Sequence, residues 1–319
     1  MPPVDIDRTD AAALIPEEVA SEIVQNVTQG SVVMQLATKL PNMSRKQKRI
    51  PILSALPVAY FVNGDKGQKQ TTEVNWANKF IDAEEIAVIV PVPEAVIDDT
   101  DYDIWGETRP LIEQAFMEKF DRTVVHGGGP AAWPSGLLPM ATAAGHTVNI
   151  SAATGKDLYD LTLGEGGVFG LVEEDGFSVN GSVASLGMRA RLRGLRDTNK
   201  QPIFMRSMNN GQNMQESARF ELDGSPIYFP QNKAVDPTTL QLLVGDWKQI
   251  VFSIRQDLTF KILSEAVIQD ENGDIVYNLA QQDMVALRCV MRLGWQIPNP
   301  VNMANPNAAT RYPFAALVP

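Results

Sequence analysis

The chain has 319 residues, a formal net charge of −11, 44% apolar and 20% charged residues, and one cysteine. That length supports one large or two moderate cores, while the acidic balance argues against a protein that grips nucleic acid by condensing phosphates. Cys289 alone excludes a disulfide framework and a cysteine zinc site.

No apolar run is long enough to span a bilayer, and the Met-Pro-Pro-Val-Asp start lacks the regions of a signal peptide, so a cytosolic product is expected. Residues up to about Asp10 read as polar and extended. Ile15-Pro16-Glu17-Glu18 then opens a short helix, with Pro16 in its first turn and acids near the positive end of its dipole. Val19, Ile23 and Val27 follow at helical spacing, and Gly30 ends the run. Ser31 to Leu40 forms a second short apolar element. The compact basic run Arg45-Lys46-Gln47-Lys48-Arg49 follows, either a solvated turn or a contact with nucleic acid or an acidic partner face.

Pro57 to Val62 reads as a strand, Asn63 to Gly67 as a turn, and Glu85 to Val92 as the returning strand. Leu56 to Val92 is then a long excursion whose tip carries Lys66, Lys69 and Lys79, with Val74 and Trp76 as its large apolar anchors. Two isolated strands with so little apolar content are marginal in water. Their order must come from a neighbouring molecule, which points to an assembly subunit.

A helix is predicted over Asp103 to Val125. Trp105, Ile112, Phe116, Phe120 and Val124 form its apolar stripe, with Leu111 and Ala115 beside it. Pro110 should end the first turn or kink the helix, and His126-Gly127-Gly128-Gly129-Pro130 stops it. Lys156 to Leu163 and Asn180 to Leu195 read as helices separated by the glycine-rich Gly164 to Gly170. Arg189, Arg193 and Arg196 share one helical face, suited to an exposed stripe or an intersubunit contact. From Ile203 the signal is mostly strand: Ile227 to Phe229, Gln249 to Ile254, Phe260 to Leu263 and Met284 to Leu293, with a hairpin turn at Glu271-Asn272-Gly273-Asp274. Alternation puts Leu287, Cys289, Met291 and Leu293 on one face and Arg288 and Arg292 on the other, making Cys289 an inert core thiol. The tail from Pro298 to Pro319 should run extended over a surface.

No catalytic, cofactor-binding or metal-ligating set emerges. His126 to Gly129 resembles an esterase oxyanion strip, but Gly176-Phe177-Ser178-Val179-Asn180 lacks the second glycine of a nucleophile elbow. Asp99 to Asp103 begins like a calcium loop, yet Ile104 and Pro110 stand where glycine and glutamate belong. Gly164 to Gly170 has Phe169 in place of the third glycine of a dinucleotide fingerprint, and Gly155-Lys156-Asp157 lacks the rest of a phosphate loop. With two histidines in the chain, acid–base catalysis has few players.

Taken in order, these features resemble the major capsid proteins of tailed bacteriophages, the Hong Kong 97-like family. The resemblance rests on Ile15 to Glu18, the long excursion, the helix over Asp103 to Val125, Pro134-Ser135-Gly136-Leu137, Leu192 to Asn199, Leu222 to Ile227, Gly245-Asp246-Trp247, Asp283 to Arg288 and Arg292-Leu293-Gly294. It implies an α+β fold with an N-terminal arm (1–40), peripheral-domain entry (41–55), extended loop (56–92) and a peripheral domain (93–135) holding the spine helix. An axial domain (136–248), peripheral strands (249–298) and a C-terminal tail returning to the axial domain (299–319) complete it. It further implies a structural, non-enzymatic protein without cofactors. Hexamers and pentamers of it would close into an icosahedral virion shell around double-stranded DNA, bound without sequence specificity.

Assembly would take place in the host cytoplasm, with a portal protein, a decoration or cement protein and no membrane. Some family members carry a scaffolding segment before the arm, where this sequence has almost nothing: either a maturation protease removes it or, as the initiating Met1 favours, a separate scaffolding protein guides assembly. Arg45, Lys46, Lys48, Arg49, Lys66, Lys69, Trp76, Lys79, Arg288 and Arg292 are the candidate intersubunit contacts. Some shells of the family weld lysine to asparagine; Lys66 and Lys69 could meet Asn299, Asn302, Asn305 or Asn307, but the tail offers no glutamate as base, so no cross-link is expected. The same fold builds encapsulin nanocompartments around cargo proteins, which is the alternative; a ligand-binding enzyme is the third reading.

Overall fold

A computed structural model describes residues 30–62, 68–69, 71–99, 103–152, 157–196, 220–270 and 272–319. Ser31 caps α1 (Val32–Leu36) by accepting the amide of Met34, and β1 (Thr38–Lys39) follows. The chain runs out along β2 (Gln47–Ala55) and back along β3 (Asn75–Asp82), an antiparallel ribbon paired from Gln47–Asp82 to Ala55–Asn75. Next come β4 (Glu84–Pro93), α2 (Glu94–Asp99) and the long α3 (Ile104–His126), whose N-cap Asp103 accepts the amide of Gly106. α3 stops where Gly127 takes φ +84°; a Cβ there would lie 2.0 Å from the Ser135 carbonyl oxygen, so only glycine fits.

Beyond it lie α4 (Leu137–Ala144), β5 (Thr147–Asn149), α5 (Leu158–Leu163) and α6 (Val168–Glu174). Then β6 (Gly181–Ala184), α7 (Leu186–Gly194), β7 (Phe220–Leu222), β8 (Ser225–Tyr228) and β9 (Leu242–Gly245) follow. The chain closes with β10 (Val251–Leu263), β11 (Val267–Gln269), β12 (Ile275–Asn278), β13 (Met284–Gln296) and β14 (Phe314–Val318).

Two larger sheets organise these elements. One has the order β1-β10-β13-β4, the other β5-β14-β9-β6-β8-β7. α3 lays Ile112, Phe116, Phe120 and Val124 in one core with Leu287, Cys289, Met291 and Leu293 of β13 and with Leu243 and Phe314 of the six-stranded sheet. α6 and α7 cover that sheet's opposite face, where Val168, Val172, Met188 and Leu192 meet Leu242, Val244, Ala315 and Leu317. The sheet is therefore buried on both sides, and β14 alternates its side chains between the two cores.

Several expectations are corrected here. Pro57 to Val62 forms no strand, and the ribbon's return is β3. Glu85 to Val92 lies instead in β4, paired with β13 from Pro93–Met284 to Glu84–Leu293, because Ile86, Val88 and Val90 pack on the first core. Asn180 leads into β6, and Gly181 to Ala184 form that strand, whose four buried residues fill a ladder between β8 and β9. The helix starts only after Ser185, whose hydroxyl accepts the amide of Met188. The glycine-rich stretch ends inside α6, since Val168 and Phe169 have a core to enter. The tail is exposed only in part, mainly from Met303 to Thr310, and then turns inward: Phe314 to Leu317 are fully buried in the interior strand β14.

α3 runs unbroken through Pro110, which forgoes one bond near the start of a helix held by the many turns after it. Leu111 and Ala115 are exposed, outside the narrow stripe that reaches the core. The expected arm helix after Ile15, the Asn63 to Gly67 turn and the start of the strands at Ile203 lie outside the described residues.

Candidate assembly surfaces

Pairing in the β2–β3 ribbon sorts its side chains onto two faces. Ile50, Lys79, Ile81 and Ile52 lie on the face turned toward the body, and Ile81 is fully buried. Arg49, Phe80, Leu53 and Trp76 lie on the other, where Trp76 is 71% and Phe80 42% exposed. The irregular segment beyond β2 adds exposed Val58, Tyr60 and Phe61. Contiguous apolar surface of this kind marks an interaction site.

The root of the ribbon is fixed by bonds within the chain. Ala83 donates its amide to the Lys46 carbonyl at 2.8 Å, and Val301 donates to the Leu53 carbonyl at 3.1 Å. Lys46 lies 3.5 Å from Glu84, Lys48 Nζ donates to the Pro41 carbonyl at 2.8 Å, and Lys79 Nζ donates to the Ile297 carbonyl at 2.8 Å. Lys79 is therefore at the root and not at the tip. Burial, with the nearby Arg311 guanidinium, holds its ammonium below the usual lysine range. An open groove of about 460 Å³ lies beside it, lined by Phe80, Asp82, Trp133, Ser135 and Gln296 among others.

The candidate contacts thus divide. Arg292 forks onto Glu85 with bonds of 2.6 and 2.8 Å, so that charge is paired inside the subunit, as is that of Lys46 with Glu84, while Lys48 and Lys79 each give one donor to a neutral backbone carbonyl. Arg45, Arg49, Lys69 and Trp76 are exposed. Arg288 is exposed as well and stands directly across β10 from Lys261, a like-charge pair. Lys66 lies outside the described residues. Arg189 places its guanidinium 6.0 Å from the centre of the Phe229 ring, so the arginine face of α7 is partly committed to its own subunit.

Two buried polar nodes were not foreseen. Asp121 of α3 accepts the Ser31 hydroxyl, the Val32 amide at 2.9 Å and the Asn232 carboxamide at 3.2 Å. Burial outweighs these bonds and pushes its carboxyl up to about 6. Asp175, at the end of α6, accepts the Tyr312 amide at 2.6 Å and the Asn305 carboxamide at 2.7 Å, and lies 3.2 Å from His146 Nε2. Asn302 donates to its carbonyl at 2.6 Å, so this node pins the loop before β14. A lone Asp in a helical stripe, or at a helix end, carries no signal of its distant partners.

The motifs with enzymatic overtones have structural duties. His126 accepts the Asp236 amide on Nε2 at 3.1 Å, and the glycines after it form the helix stop. Gly176 to Asn180 make the turn from α6 into β6. Among the described residues no three His, Cys, Asp or Glu side chains cluster to hold a metal, and no helix is long and apolar enough to cross a membrane. Cys289 is buried, and burial pushes its thiol up.

Residues 11–303 match the Phage capsid family. The major capsid protein of Staphylococcus phage 80alpha is 27% identical over 285 residues, covering 88% of this chain and 80% of that one. A solved chain from Microbacterium phage Oxtober96 superposes with a TM-score of 0.81 at 37% identity, covering 98% of this chain and 99% of that chain. One from Mycobacterium phage Bobi gives 0.80 at 31% identity over 99% of each.

Proposed function

The chain belongs to the phage capsid family, and from that premise we propose how this Hong Kong 97-like major capsid protein builds its shell. It is a structural component of the virion, and the family match decides against the cargo-compartment alternative. The β2–β3 ribbon is the extended loop, and its exposed face of Trp76, Leu53 and Phe80 docks on a neighbouring subunit. That face is the observation on which the proposal rests, because a two-stranded ribbon gains little from leaving aromatic surface in water. α3 is the spine helix; the four-stranded sheet belongs to the peripheral domain and the six-stranded sheet to the axial domain. Arg45, Arg49, Lys69 and Arg288 supply charged contacts between copies.

Repeated head-to-tail docking that closes makes rings, here hexamers and pentamers of an icosahedral head. A surplus of acids on the subunit limits adhesion to the double-stranded DNA inside. Assembly in the host cytoplasm would use a portal, a separate scaffolding protein and a cement protein. Negative-stain microscopy of the chain co-expressed with its phage's assembly genes tests this. Closed shells are expected; soluble monomers or dimers alone would contradict it.

A further inference from the structure

We propose that the groove at the ribbon root, floored by Lys79, receives an acidic side chain from a second copy of this chain. The inference rests on the shell reading above and assigns one of its contacts. Lys79 is half-buried, and an ammonium has three donors. One of them goes to the Ile297 carbonyl, and none meets a carboxylate within 4 Å among the described residues.

The surrounding charge makes the deficit larger. Arg311 is itself a cation, and burial together with that guanidinium holds the ammonium below the usual lysine range. Arg311 cannot be relieved from the groove, since it donates to Asn299 Oδ1 at 3.1 Å and to the Asn305 and Asn299 carbonyls at 2.9 and 3.1 Å. Asp82 is the one carboxylate in the lining, and it makes no ion pair with Lys79 within 4 Å. Arg311 has Asp175 as its own anionic neighbour, whereas Lys79, in the lining of an open groove, has no carboxylate within 4 Å among the described residues, and an incoming carboxylate would complete that site.

A second copy is the source that charge favours. The chain carries 38 acids against 27 lysines and arginines, so every copy presents unpaired carboxylates. On α2, for example, Glu94, Asp98 and Asp99 are exposed and enter no ion pair among the described residues. The groove also adjoins Phe80, on the face assigned to intersubunit docking, so one approach would fill both.

Zero-length carbodiimide coupling on shells built from equal amounts of ¹⁵N-labelled and unlabelled subunits tests it, with peptides read by mass spectrometry. The expected product joins Lys79 to an Asp or Glu of the opposite isotope, and acetylation of Lys79 falls about tenfold on assembly, the occupancy ratio that about 1.4 kcal/mol sets. Lys79→Arg should keep particle yield while Lys79→Gln lowers it. Shells in which Lys79 is uncoupled, couples only within its own copy, or acetylates as fast as in free subunits would overturn the inference and leave the shell reading standing. Light scattering on the same sample showing no particles would remove both.

Discussion

Asp121, buried toward the C-terminal end of α3, holds the backbone amide of Val32 at 2.9 Å and so fixes the point where the chain enters the described fold. Its carboxylate does for α1 what an N-cap does, from a residue 89 positions away. Among the described residues no salt bridge joins it, so burial dominates and pushes the carboxyl up from 3.8 to about 6.

The sign of that shift makes a pH prediction. The folded state holds the Asp121 proton more tightly than the unfolded chain, so its contribution is fully present below about 4 and is lost as pH rises through about 6. The difference amounts to roughly 3 kcal/mol by linkage. Thermal unfolding of unassembled subunits between pH 4.5 and 7.5 should show a declining component that Asp121→Asn removes. An identical pH profile in both proteins would refute it. Asp121→Ala should cost about 1–3 kcal/mol at any pH, by stranding the Ser31 and Val32 donors.

Phe120 is 1% exposed and meets Trp133 edge-on with ring centroids 6.2 Å apart, and Phe116 is 3% exposed beside it. Phe116→Ala or Phe120→Ala should each cost roughly 3–5 kcal/mol and abolish soluble protein. Near-normal soluble yield of both would show that the core does not depend on this helix.

Covalent welding of the shell is not expected. Asn299, Asn302 and Asn305 already donate their carboxamides to the Arg311 carbonyl, the Asp175 carbonyl and the Asp175 carboxylate, so attack on them would first break this loop. Boiled, denatured particles should run as one band near 35 kDa. A ladder of multimers would contradict this.

α3 was legible because its signals are local: an apolar stripe, an acid cap and glycines that end it within a residue of the expected place. β13 was legible for the same reason, with strict alternation carrying Cys289 inward and Arg288 outward. The ribbon was misjudged because Gln47 to Ala55 is half polar, and its pairing with Asn75 to Asp82 is set by register across a long connection. β14 hid behind Pro298 to Asn307, whose composition reads as tail; only the buried Arg311 and Tyr312, tied to Asn299 and Asp175, return the chain to the sheet. The bonds of Lys79 and Arg292 within the subunit were not legible, because Ile297 and Glu85 lie far away in sequence and could not be read from spacing.

The exposed face of the ribbon carries the central claim, and Trp76→Ser with Phe80→Ser tests it. Trp76 is 71% and Phe80 42% exposed in the isolated subunit, so Trp76→Ser should cost no more than about 0.5 kcal/mol and Phe80→Ser somewhat more, leaving the double variant folded. Light scattering of the two proteins, prepared in parallel with the same assembly partners, is the decisive measurement. The account predicts particles of capsid mass for the parent and folded, unassembled subunits for the variant. Shells of normal mass and yield from the variant would contradict it.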